Sequence, residues 1–223
     1  MSFETLGLSP ALLRALSESN YTTATPIQAE AIPLILAGRD LLGGAQTGTG
    51  KTAAFALPLL QRMSELTTPR QSRRPRALIL TPTRELAVQV HDSIRKYGKY
   101  LRMPSTVVYG GAGMSPQIDA LRRGVDILVA TPGRLIDHIE QGTLQLGDVQ
   151  MLILDEADRM LDMGFFDDIA TVAKQCPKER QTLLFSATYP EGIAKISQQF
   201  MKQPQTIAVQ AQHEKSKIRQ RWY

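Results

Sequence analysis

Short apolar runs recur along the chain between about residue 40 and residue 210. They fall at Asp40 to Leu42, Ala77 to Leu80, Thr106 to Tyr109, Asp126 to Ala130, Met151 to Leu154, Thr182 to Phe185 and Thr206 to Val209. Leu, Ile and Val fill these runs almost continuously instead of alternating with polar residues. That pattern predicts parallel strands buried on both faces. Between them, segments such as Arg84 to Tyr100 and Glu191 to Met201 repeat apolar residues at three- and four-residue spacing, the period of an amphipathic helix. The alternation predicts an α/β fold: one open, mostly parallel sheet with helices on both sides, forming a single domain over residues 1–209. There is no internal repeat.

Five dipeptides pair an N-cap residue with a proline suited to the first helical position: Ser9-Pro10, Thr25-Pro26, Thr81-Pro82, Ser115-Pro116 and Thr131-Pro132. Thr81-Pro82 and Thr131-Pro132 directly follow predicted strands. They are therefore expected on the carboxyl edge of the sheet, where open α/β folds bind ligands. Leu66 to Arg76, with its prolines and arginines, reads as an exposed loop. Residues 210–223 lose all periodicity and read as a linker or the start of a further domain.

Composition narrows this picture only slightly. The chain has 223 residues, 43% hydrophobic and 21% charged, as expected for a globular protein with a substantial core. Its net charge of +5 favours polyanionic partners weakly. The single cysteine, Cys176, excludes an internal disulfide and fits a reducing compartment. Neither a signal-peptide pattern at Met1 nor an apolar stretch of about 20 residues for a bilayer span is present, so a cytoplasmic protein without a membrane partner is expected. The three histidines are far apart in sequence and lack cysteine neighbours, which argues against zinc.

The most informative segment is Ala45-Gln46-Thr47-Gly48-Thr49-Gly50-Lys51-Thr52, between a predicted strand and the helical run Ala53 to Met63. This is the context of a phosphate-binding loop. Its glycines let backbone N–H groups turn toward phosphate oxygens, and the helix N-terminus adds its dipole. Lys51 is expected to reach the β- and γ-phosphates, and the Thr52 hydroxyl to ligate magnesium. Ala45 departs from the glycine usual at the first position. The run Met151 to Leu154 then delivers Asp155 and Glu156 at its carboxyl end. Asp155 is placed to hold magnesium and Glu156 to orient or deprotonate an attacking water, which makes Lys51, Asp155 and Glu156 the candidate catalytic set. Alone, such an acidic pair is more often a helix N-terminal charge pair. The phosphate loop in the same sheet reverses that balance.

Asp155-Glu156-Ala157-Asp158 spells the motif that names the DEAD-box helicases, and the chain resembles that family over nearly its whole length. Thr25-Pro26-Ile27-Gln28, the phosphate loop, Pro82-Thr83-Arg84-Glu85-Leu86-Ala87, Gly110-Gly111, Thr131-Pro132-Gly133-Arg134 and Ser186-Ala187-Thr188 follow in the family's order. The run from Asp158 to Phe165 and the compact N-terminus look most like the bacterial RhlE-type subgroup. The resemblance implies a RecA-like P-loop domain whose cofactors are ATP and Mg2+. Tyr21, Thr25, Gln28 and the loop residues Gln46, Thr47, Gly48, Thr49, Gly50, Lys51 and Thr52 would bind the nucleotide. In the family the Gln28 position reads adenine and the Tyr21 position stacks on it, while Phe3 has a supporting role. Without the family, Tyr21 is equally readable as a core residue.

The resemblance further implies that Thr83, Arg84, Gly110, Gly111, Thr131 and Arg134 hold the sugar-phosphate backbone of RNA, without regard to base sequence. The 2′-hydroxyl would let the site tell RNA from DNA. Ser186 and Thr188 would bond Asp158 and couple nucleotide state to RNA binding. The family also needs a second RecA-like domain carrying arginine fingers. This chain, expected to be monomeric, should bind nucleotide yet turn it over slowly. An ATP-gated RNA clamp or remodelling factor with little unwinding, and a DNA translocase, are the competing readings.

Overall fold

The computed structural model describes residues 1–66 and 72–208. Strands β1 (Leu41–Gly44), β2 (Ala77–Leu80), β3 (Ser105–Val108), β4 (Ile127–Ala130), β5 (Met151–Leu154), β6 (Gln181–Ser186) and β7 (Gln205–Ala208) form one sheet. Its order is β3-β4-β2-β5-β6-β1-β7, and every adjacent pair is parallel. The helices are α1 (Pro10–Glu18), α2 (Pro26–Leu36), α3 (Lys51–Ser64), α4 (Arg84–Tyr97), α5 (Met114–Arg123), α6 (Pro132–Glu140), α7 (Ala157–Asp162), α8 (Phe166–Gln175) and α9 (Glu191–Phe200), with a short 3-10 turn at Phe3–Leu6. The expected linker at 210–223 and part of the expected loop at 66–76 lie outside the described residues.

The continuous apolar runs are explained by two cores, one on each face of the sheet. Ala77, Ile79, Ile127, Val129, Met151, Ile153, Leu183 and Phe185 pack with residues of α1 to α4. Their strand neighbours Leu78, Leu80, Leu128, Ala130, Leu152, Leu154 and Leu184 pack with residues of α5 to α9. Successive side chains of a strand point to opposite faces, so a strand covered on both sides has no polar face to show.

Two helix starts differ from expectation. Thr81 is buried, and its N–H still bonds the Ala130 carbonyl at 3.0 Å, so the sheet ladder continues through it. The helix begins later, with Thr83 as the N-cap accepting from Leu86 N. Ser115 lies inside α5, whose N-cap is Gly113. Pro116 is tolerated there because the first turn of a helix has no use for its N–H groups. Pro10, Pro26 and Pro132 do open their helices.

Strand β1 also runs further than its apolar residues, through Gly43 and Gly44. A Cβ on Gly43 would lie 2.8 Å from the Phe185 ring on neighbouring β6, and one on Gly44 would lie 2.8 Å from Tyr189 Oη. The glycines are strand residues over which aromatic side chains are folded.

The strand order sorts the loops at the carboxyl edge into two groups. The loops after β5, β6 and β1 are neighbours, as are those after β3, β4 and β2. Each group carries its own set of motifs.

Candidate functional site

The loop after β1 turns sharply at Gly48 (φ 84°) and Gly50 (φ 85°), left-handed backbone that favours glycine. Gly50 caps α3, so Lys51 and Thr52 are that helix's first residues and its free N–H groups face the loop. A Cβ at Gly50 would sit 2.6 Å from Gln28 Nε2 and 2.9 Å from Thr25 Oγ1, whereas nothing lies within 4 Å of one at Gly48. Gln46 and Thr47 are exposed, and Thr49 Oγ1 donates to the Gln46 carbonyl at 2.7 Å. Ala45 is buried and bonds the Ser186 carbonyl through its N–H.

Gln28, in the first turn of α2, ties that helix to the loop. Its Oε1 accepts from Thr25 N at 2.9 Å and its Nε2 donates to the Gly50 carbonyl at 3.1 Å. Thr25 Oγ1 is buried without a hydrogen-bond partner. Tyr21 is 41% exposed and is not a core residue. Its ring meets Tyr97 edge-on at 6.1 Å and lies under the Lys96 ammonium at 5.1 Å, both in the last turn of α4. Phe3 is buried in the core beside α1 and α2.

Strand β5 delivers the acidic pair to the same edge. Lys51 Nζ lies 3.1 Å from Asp155 Oδ1 and 3.1 Å from Glu156 Oε1, so one ammonium bridges both carboxylates. Asp155 is 1% exposed, and burial pushes its carboxyl above the ordinary range against the pull of Lys51. Asp155 Oδ1 receives no hydrogen bond beyond that ion pair. Glu156 adopts left-handed backbone (φ 52°, ψ 50°), uncommon for a residue with a side chain and costing on the order of 1 kcal/mol. Arg159 Nη1 lies 3.5 Å from its other oxygen.

Asp158 connects this loop to the one after β6. Its Oδ2 accepts from Thr188 Oγ1 at 2.9 Å and Thr188 N at 3.1 Å. Ser186 takes no part in that contact, against expectation. Its hydroxyl donates to the Thr188 carbonyl at 2.6 Å, holding the turn that presents Thr188.

The remaining predicted residues gather at the other half of the edge. Arg84, first residue of α4, stacks over the Tyr109 ring at 4.8 Å. Gly110 and Gly111 follow β3, exposed and with nothing within 4 Å of a Cβ at either. Arg134 Nη1 donates to the Ala112 carbonyl at 2.9 Å, and its Nε lies 3.6 Å from Asp137. Thr131 is 8% exposed, so its side chain offers less to a ligand than the glycines beside it.

The sequence alone assigned no role to Tyr109, Tyr189, Arg159, Gln117 and His138. Apart from Arg159, whose partner Glu156 is three residues away, and the His138–Thr143 contact, their partners lie on other elements, and only the paired glycines at 43 and 44 hinted that an aromatic such as Tyr189 covers them.

Comparison with known proteins agrees with this arrangement. A profile of the DEAD/DEAH box helicase family matches residues 25–196. The ATP-dependent RNA helicase DeaD of Buchnera aphidicola subsp. Schizaphis graminum is 50% identical over 211 residues, covering 94% of this chain and 34% of that protein. The DeaD helicase of Escherichia coli (strain K12) is 49% identical, with 94% and 33% covered. CshA of Limosilactobacillus reuteri is 48% identical, with 95% and 41% covered. The chain thus spans about a third of the length of the curated relatives it matches. Among solved structures, a DEAD box protein from the hyperthermophile Methanococcus jannaschii superposes with a TM-score of 0.87 at 40% identity, covering 94% of this chain and 56% of that one. With the motifs in order, the fold superposing on a DEAD box protein and the family profile spanning most of its length, this chain belongs to the DEAD/DEAH box helicase family.

Proposed function

We propose that this chain is the ATP-binding, N-terminal RecA-like domain of an ATP-dependent RNA helicase, spanning residues 1–209. The observation that carries the proposal is the Lys51 ammonium held 3.1 Å from each of Asp155 and Glu156. A cation at the mouth of a glycine loop, with two carboxylates beside it, suits a magnesium-bound triphosphate. The residues fit magnesium: Asp155 supplies a buried oxygen short of donors, and Thr52 a hydroxyl at the start of α3. Magnesium prefers such a sparse set of oxygens, completed by phosphates and water. Bound there, it would neutralise charge developing on the transferred phosphoryl group. Lys51 would move from the carboxylates to phosphate oxygens, and Glu156 would hold the attacking water.

Gln28 reads adenine in this proposal, exchanging its bond to the Gly50 carbonyl for the base, and Tyr21 stacks on the ring. At the other half of the edge, Thr83, Arg84, Gly110, Gly111, Thr131 and Arg134 hold the RNA backbone. Asp158 and Thr188, supported by Ser186, tie the loops after β5 and β6 together and in this proposal couple nucleotide state to RNA binding. The whole protein adds a second RecA-like domain, works as a cytoplasmic monomer and separates short RNA duplexes. Placement in the RhlE-type subgroup rests on residues 158–165 and the compact N-terminus, and the relatives named DeaD and CshA lend it nothing. Titration of the chain with magnesium-ADP and magnesium-GDP tests the site. Tighter binding of ADP is expected, and equal affinity would overturn the adenine reading.

A further inference from the structure

His138 is completely buried in α6, and no step proposed above uses it. Its Nε2 lies 3.0 Å from Gln117 Oε1 on α5, and its Nδ1 lies 2.8 Å from Thr143 Oγ1. Gln117, 8% exposed, turns its other end to the backbone, where Nε2 donates to the Tyr109 carbonyl at 3.0 Å. The chain of bonds therefore runs from the loop after α6 through two helices to the residue preceding Gly110.

Donor and acceptor roles follow from counting hydrogens. The Gln117 NH2 group is committed to Tyr109, so its oxygen faces the ring and His138 Nε2 must carry the proton. His138 Nδ1 faces the Thr143 hydroxyl, whose one hydrogen also lies within reach of the His138 carbonyl at 3.0 Å. The ring thereby fixes which way the Gln117 amide points.

The turn at the end of this relay has little else to hold it. Gly110 and Gly111 are exposed, touch nothing at the Cβ position, and Gly111 has φ 80°. The turn is fixed from either side by two side chains, Gln117 on the Tyr109 carbonyl and Arg134 on the Ala112 carbonyl. The Tyr109 ring also carries Arg84. Arg84, the glycine pair and Arg134 thus all depend on where this one turn sits.

We infer that Gln117 and His138 are positioning residues for nucleic-acid binding, holding the Tyr109–Ala112 turn so that its glycine N–H groups are presented to a phosphate backbone. The inference rests on the RNA reading proposed above for Gly110, Gly111 and Arg134. Preorganisation of this kind lowers the ordering cost at binding.

The test compares the wild-type chain with Gln117→Met, Gln117→Glu, His138→Leu and His138→Gln. A fluorescent oligouridylate measures RNA affinity, a fluorescent ADP measures nucleotide affinity, and NMR follows amide exchange at Gly110 and Gly111. Gln117→Met and His138→Leu should weaken RNA binding about threefold to tenfold, the scale of one lost hydrogen bond, with ADP affinity unchanged. Gln117→Glu, which cannot donate to Tyr109, should behave like Gln117→Met. His138→Gln, which restores a donor to Gln117, should return affinity to near wild type. Amide exchange at both glycines should quicken in the weakened variants alone. Unaltered RNA affinity in Gln117→Met, with the wild type binding normally, would overturn the inference. So would unaltered amide exchange in that variant, whether or not RNA binds. Failure of the wild type to bind RNA would instead overturn the RNA reading of the glycine pair.

Discussion

Lys51 has two carboxylates and one charge to share between them, and the imbalance sets the chemistry of its surroundings. Asp155 is buried beside Glu156, and its carboxyl is pushed up because desolvation outweighs the pull of the ammonium. Removing Lys51 leaves two carboxylates facing each other at a site shaped for phosphate. Lys51→Ala is therefore expected to weaken magnesium-nucleotide binding at least about tenfold, the loss of one charge-assisted contact, and calorimetric titration checks this. His138 makes a different prediction. Burial depresses its pKa, Arg134 depresses it further and Asp137 opposes both. The native ring is thus neutral where the unfolded one, with its ordinary value of 6.5, takes up a proton. Stability is full above that pH and falls below it, because the unfolded state then binds more protons. Melting temperatures of wild type and His138→Gln at about pH 7.5 and about pH 5.5 should show the larger acid loss in wild type. Burial also pushes the Cys176 thiol up to about 12. The folded protein should accordingly resist iodoacetamide at neutral pH and react on unfolding, as mass spectrometry would read.

Among the elements, β1 shows how a strand is shaped by its neighbours. Its last two residues are glycines because the Phe185 ring and the Tyr189 hydroxyl occupy the space that side chains would need. Phe185 is fully buried and has nowhere to retreat. Gly43→Ala is expected to destabilise the fold by about 1–3 kcal/mol through overpacking, measurable by urea unfolding. At the strand's other end, Asp40 accepts from Thr182 N at 2.9 Å and Lys202 N at 2.7 Å, fastening β1 to β6 and to the approach of β7. The helix starts carry a related lesson. Ser9, Thr25 and Thr131 were legible as caps because proline follows each of them and the chain is leaving irregular backbone or a strand end. Thr81 makes the same kind of ladder bond as Thr131, yet the cap falls two residues later, where the Thr83 hydroxyl accepts from Leu86 N.

For the whole molecule, the strand order sorts the proposed functions. The proposed nucleotide motifs end β1, β5 and β6, the proposed RNA motifs end β2, β3 and β4, and the β2–β5 pairing joins the two halves. Asp158 and Thr188 close the nucleotide half beside the acidic pair. An arginine supplied by a second domain is typically worth about 10³–10⁵ in rate. The 223-residue chain should therefore hydrolyse ATP at least about 10³-fold more slowly than the longer protein of which it is proposed to be a part, as a phosphate-release assay would measure. Robust RNA-stimulated turnover by the chain alone would overturn that proposal.

The sequence by itself determined the sheet class and its strands, the phosphate loop, the acidic pair and the family. Each of these is written in contiguous residues whose spacing is imposed by backbone periodicity or by the shape of a phosphate. Only the tertiary structure decided that Lys51 bridges Asp155 and Glu156, that Gln28 bonds the Gly50 carbonyl, and that Thr188 rather than Ser186 reaches Asp158. It alone linked Gln117 and His138 to the glycine turn. Such contacts join residues far apart in sequence, and which of the available polar groups meet is settled by strand order and burial rather than by local pattern.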